Sequence, residues 1–191
     1  MIKKLERDFC LVNFRNFPLL HYDKKEDLEF YYEPKFISFY WLKVDKEGNK
    51  NLIKEIVKLI NLLKLDDIIF LDAINKPWIN KHTSKRKDYK PLIKTLEYFK
   101  SKKIYGNFNG GILVENDDLK EFLFHFFRIT VCDSGFFHFH FMDKSQKIIF
   151  YLHYSGELQI LTLNKKIDTE FLKIVKETNF IDSFRENTNR I

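Results

Sequence analysis

The chain is poor in cysteine, glycine, proline and unbroken hydrophobic sequence, and each scarcity removes a class of protein. Its 191 residues include 2 Cys, 6 Gly and 4 Pro. Two thiols, Cys10 and Cys132, cannot build a disulfide scaffold and read as small buried apolar residues in a reducing compartment. So few Gly and Pro exclude Gly-rich and Pro-rich architectures. No run approaches the ~18 uninterrupted apolar residues of a membrane span. Acids at Glu6 and Asp8 stand where the apolar core of a signal peptide would begin, and Asn13, Arg15 and Asn16 interrupt the stretch that follows. No signal peptide and no membrane association are therefore expected, and the default location is cytoplasmic.

What is present suits one globular domain. Hydrophobic residues make up 45% and charged residues 31%, with a mean hydropathy of −0.35. A chain this long buries roughly 70% of its unfolded surface. Phe is the unusual component, with 21 copies, and carries no functional argument by itself.

Runs rich in aromatic and β-branched residues predict strands at Phe9 to Phe14, Leu28 to Glu33 and Phe36 to Val44. A turn is expected at Glu47-Gly48-Asn49. From Lys50 to Lys64 the stripe Leu52, Ile53, Ile56, Val57, Ile60 and Leu63 predicts an amphipathic helix. Asp67 to Ile74 reads as a buried strand and 75–87 as a loop. A helix then starts near Pro91 and runs to about Ser101. Gly111 to Glu115 reads as a strand. The next helix carries Leu119, Phe122, Leu123, Phe126 and Phe127 on one face. A three-stranded meander follows, over Phe136 to Met142, Lys147 to Tyr154 and Glu157 to Leu163. Asp168 is expected to cap a last helix, Thr169 to about Asn179. The pattern predicts a single α+β domain over 1–181, with a mixed or antiparallel sheet, a C-terminal meander and about four helices, followed by a polar tail over 182–191.

Charge is concentrated. The net charge is +6. Between Lys76 and Lys103 ten basic residues face only Asp88 and Glu97, which puts +8 there. The remaining 23 basic and 25 acidic residues give −2. Such a field favours an acidic partner. Trp78, His82, Tyr89, Tyr98 and Tyr105 are interleaved with these cations. Aromatics among cations suit a protein-docking surface and also single-stranded nucleic acid. Trp78, Lys81, Lys85, Arg86, Lys87 and Tyr89 are the expected partner contacts.

Histidines form the other constellation. If Met142 pairs with Lys147, Phe137, Phe139 and Phe141 oppose Leu152, Phe150 and Ile148. His138, His140 and His153 then share the opposite face. Three imidazoles on adjacent strands are ligands for Zn²⁺ or Fe²⁺, and an open fourth position would activate water. The same three residues on a plain sheet face would carry no chemistry.

Weaker patterns are the turn Cys132-Asp133-Ser134-Gly135, the strings His82-Thr83-Ser84 and His153-Tyr154-Ser155, and the strand-end acids Asp72 and Glu115 beside a basic loop. Each lacks the flanking context its chemistry requires. His125 is expected to pair with Glu121 on the helix surface.

The reading that follows is a cytoplasmic, non-catalytic interaction module of the inhibitor or immunity type, without cofactor, that occludes an acidic protein surface. The alternatives are a metal-dependent hydrolase on His138, His140 and His153, and a nucleic-acid binder using the 76–103 segment.

Overall fold

In chain order the elements are β1 (Ile2–Leu5), α1 (Arg7–Asn13), β2 (Leu19–Asp23), β3 (Leu28–Tyr32), β4 (Ser38–Val44), α2 (Asn49–Leu62), β5 (Ile68–Asp72), α3 (Lys90–Ser101), β6 (Gly111–Val114), α4 (Asn116–Cys132), β7 (Phe139–Asp143), β8 (Ile148–Leu152), β9 (Leu158–Thr162), α5 (Lys165–Ile174) and β10 (Phe180–Asp182). The structure is a computed structural model that describes residues 1–45, 49–65 and 67–191. The turn read at Glu47 and Gly48 lies outside the described residues. The molecule is α+β, with an eight-stranded sheet ordered β1-β6-β5-β7-β8-β9-β4-β10 and a separate β2-β3 hairpin. Every neighbouring pair in the large sheet is antiparallel. No helix among the described residues is long and apolar enough to cross a membrane.

Strand alternation divides the sheet into two faces. One presents Phe70, Phe139, Phe141, Phe150, Leu158, Ile160, Tyr40 and Leu42 to the helices and forms the main core. α4 supplies Leu119, Phe122, Leu123, Phe126 and Phe127, all buried, and packs against both α2 and α3. The other face is covered at the β1-β6-β5 end by α1 and the residues after it. Cys10, Phe14 and Phe17 cluster there with Ile69, Leu71, Leu113 and Met142.

That cover corrects the strand expected at Phe9 to Phe14. The segment is rich in strand-forming residues, yet the residues that bury are Arg7, Cys10, Phe14 and Phe17, at helical spacing, while Phe9 and Val12 are exposed. The close approach is built into Gly111, where a Cβ would stand 2.5 Å from Cys10 Sγ.

The meander forms with the expected faces in a different register. Met142 pairs with Ile149 and His140 with Tyr151. The shift is two residues, so sidedness survives. The Asp143 carboxylate sets it by accepting from the backbone N–H groups of Lys147 (2.7 Å) and Ile148 (2.9 Å), which lengthens the turn. His138 is not on the strand. It ends a 3₁₀ turn, Ser134–His138, started by the Asp133 carboxylate accepting from Gly135 N–H.

The C-terminal end also differs. Asn164, not Asp168, caps α5, accepting from Ile167 N–H at 3.0 Å. Asp168 instead accepts from the Tyr40 and Thr162 hydroxyls, at 2.8 Å each. The residues expected as a polar tail are bonded to the sheet. Phe180–Asp182 pair with β4, Ser183 N–H reaches the Trp41 carbonyl (3.0 Å), and Asn189 N–H reaches the Phe39 carbonyl (2.7 Å). Buried Glu55 fastens the approach to β10 through the Asn179 backbone and amide.

Candidate functional site

The basic segment forms the loop between β5 and α3 together with the outer face of α3. Trp78 is where the structure overturns the expected contact set. It is 2% exposed, its Nε1–H donates to the Gly110 carbonyl (2.7 Å), and its ring meets Phe139 at 4.5 Å between centroids. Trp78 is a core anchor and cannot touch a partner. Its neighbours in the loop are fixed with it. Asn80 donates to the Asp133 carboxylate and accepts from Thr83 N–H, and Thr83 is buried.

Above this anchor Lys81, Lys85 and Lys87 are exposed. Arg86 is held locally. It grips Asp88 with two hydrogen bonds (3.0 and 2.8 Å) and donates to the Cys132 carbonyl at 3.1 Å. The guanidinium holds the Asp88 carboxyl down at about 2. Tyr89 is 41% exposed, and its hydroxyl accepts from Arg128. Lys90, Lys94 and Lys100 are exposed on α3. Among the described residues, none of Lys81, Lys85, Lys87, Lys90, Lys94 and Lys100 takes part in an ion pair. Their charge is uncompensated, so the field reaches a Debye length, ~10 Å at 0.1 M salt, into solvent.

The histidines are not brought together as a ligand set. His138 Nδ1 shares a hydrogen bond with the Tyr31 hydroxyl. His140 is buried and donates Nδ1–H to the His138 carbonyl (3.2 Å), and burial lowers its pKa to about 4. His153 Nδ1 is engaged by Ser155 Oγ at 2.6 Å. Among the described residues no group of three or more His, Cys, Asp or Glu is arranged to hold a metal ion. His138 and His140 both meet Tyr31, and each imidazole Nδ1 is taken up by a protein hydrogen bond rather than turned to a common point.

The strand-end acids are separated by the antiparallel sheet. β5 and β6 pair Phe70 with Ile112 and Ile68 with Val114, so Asp72 and Glu115 lie beyond opposite ends of the pair. Glu115 binds the N-terminal ammonium at 2.9 Å. Asp72 is fully buried, its Oδ2 lacks a partner, and burial raises its pKa to about 7 against the pull of Lys76. His125 is not paired with Glu121. It stacks on Tyr98 at 4.0 Å and bonds Thr95 Oγ1 at 3.0 Å, which ties α4 to α3.

The sequence reading missed the helix-free face beneath the β2-β3 hairpin, where Tyr31 meets His138 and Trp41 meets Tyr151. The alternation of Leu28 to Glu33 marked one strand of that hairpin. Its mate, Leu-Leu-His-Tyr-Asp, has no apolar-polar alternation to reveal it.

Comparison of the chain with protein-family models, with curated proteins and with solved structures returns no match.

Proposed function

We propose that this protein is a cytoplasmic, non-catalytic interaction module of the inhibitor or immunity type, which docks on an acidic protein surface and occludes it. The observation that carries the reading is the row of exposed lysines without ion-pair partners, set on a loop whose backbone is anchored from below by Trp78, Asn80 and Thr83. A fixed loop loses little freedom on docking, so more of the contact energy appears as affinity. Unpaired cations raise the rate of encounter with an acidic face.

Protein suits this surface better than single-stranded nucleic acid. Stacking platforms need exposed rings. Trp78 is buried and Tyr98 is partly buried against His125, so two of the five rings read as a stacking platform are withdrawn, and His82, Tyr89 and Tyr105 remain exposed.

The test is capture of the products of adjacent genes by the wild type and by the triple variant Lys81→Glu, Lys85→Glu, Lys87→Glu, with oligothymidylate as a second probe. A stoichiometric complex with an acidic protein, weakened at least about tenfold by the triple variant and by added salt, supports the reading. Unchanged capture after charge reversal, or retention by oligothymidylate alone, refutes it.

A further inference from the structure

The register of the large sheet lines up one row of side chains on the helix-free face. His140 pairs with Tyr151, Tyr151 with Gln159, and Gln159 with Trp41, so the row crosses β7, β8, β9 and β4. The β2-β3 hairpin and the 3₁₀ turn rise beside it. Tyr31, Glu33 and Phe137 border the space on that side, making an open cavity of about 230 Å³. That is below the ~300 Å³ at which sites for whole small molecules begin, so it suits one head group.

Its chemistry has one sign. Four rings line it, those of Tyr31, Trp41, Phe137 and Tyr151. Tyr31 stands edge-on to His140 (71°, 6.1 Å), and Trp41 stands edge-on to Tyr151 (84°, 6.0 Å). An aromatic ring carries a negative face that a cation can approach. The His140 proton is on Nδ1, committed to the His138 carbonyl, so its Nε2 carries a lone pair. Among the described residues Glu33 is the one formally charged side chain in the lining, and it is an anion. Arg185 already demonstrates the affinity of this indole for cations: its guanidinium lies 3.9 Å from the Trp41 ring centroid, held by Glu157, and does not line the cavity.

We propose that this cavity is a cage for an alkylated ammonium group, carried by a choline-like small molecule or by a methylated lysine side chain. Ring faces attract the diffuse charge, and the Glu33 carboxylate neutralises it and repels anions such as phosphate. The proposal is independent of the lysine surface, which lies on other elements.

The probes are choline, Nα-acetyl-trimethyl-lysine amide and the uncharged choline isostere 3,3-dimethylbutan-1-ol, titrated by calorimetry. At least one cation is expected to saturate the site and to bind about tenfold or more tighter than the alcohol. The tighter of the two cations identifies the source of the head group. Tyr31→Leu and Glu33→Gln, both at exposed positions, should each weaken cation binding about fivefold while thermal melts show a folded protein. Equal binding of the alcohol overturns the proposal. So does the absence of saturation by either cation up to about 10 mM, well above the millimolar range of weak specific sites.

Discussion

Single residues define what this molecule holds fixed. Trp78 sits among Phe99, Phe108, Phe122, Phe126, Phe136 and Phe139 and uses its indole N–H on a carbonyl. Trp78→Ala should destabilise by about 3–5 kcal/mol through the cavity it leaves. Trp78→Phe should cost about 1–3 kcal/mol, because the ring packs but the Gly110 carbonyl loses its donor. Urea denaturation separates the two, and a neutral Trp78→Ala would contradict the anchor.

Asp72 and His140 make the stability depend on pH in opposite senses. Asp72 moves from 3.8 to about 7 on folding, so the folded state holds a proton the unfolded chain releases. Its contribution is complete below about pH 4 and is lost as pH rises through 7. His140 moves from 6.5 down to about 4, so its contribution is complete above 6.5 and is lost as pH falls through 4. Asp72→Asn should remove the first trend alone. The stability difference between wild type and Asp72→Asn, measured by urea midpoints from pH 4 to 8, should therefore turn against the wild type as pH rises. A difference independent of pH would show that Asp72 does not titrate in this window.

Elements reveal how much the sequence can say. The stripes of α2 and α4 were legible because about four turns repeat the pattern, and in the structure those residues are buried, Val57 only partly. α1 was not legible. The six residues Phe9 to Phe14 form a short apolar run with no clear period, and Arg7 and Phe17, whose burial decides the matter, lie outside it. β10 was missed because three residues give no periodicity and the pairing with β4 spans the length of the chain. His138 was misplaced for a similar reason. A side-chain bond from Asp133 turns the backbone just where alternation continues in the letters. Alternation did fix the faces of β7, β8 and β9. Loop chemistry at Asp143 set a register it could not specify.

The segment after β10 carries a prediction of its own. Removing residues 183–191 deletes the backbone bonds from Ser183 and Asn189 and the Asn189 side-chain bond from Phe39 N–H. Three bonds at about 0.5–1.5 kcal/mol each imply a loss of about 2–4 kcal/mol. Hydrogen exchange should show Phe39 N–H losing protection. Unaltered protection and melting temperature would mean that the segment is not docked in solution.

At the scale of the whole molecule, a single antiparallel sheet does two things. It places Asp72 and Glu115 beyond opposite ends of neighbouring strands, which dissolves the carboxylate pair that a parallel sheet would have gathered at one edge. It also packs α2, α3, α4 and α5 on one face, opposite α1, and the loop and α3 that carry the lysines lie on that side. Like charges on one segment, without ion-pair partners among the described residues, repel, so this surface weakens the free protein. Sodium chloride should therefore raise the wild-type melting temperature. The variant Lys81→Glu, Lys85→Glu, Lys87→Glu should melt above the wild type at low salt, by an amount on the order of 0.5–1 kcal/mol. The gap should close near 0.5 M, where screening cuts the Debye length to roughly 4 Å. A variant that melts below the wild type at every salt concentration would show that these lysines support the fold through their stems. The surface would then be ordinary packing rather than a reserve of charge awaiting a partner.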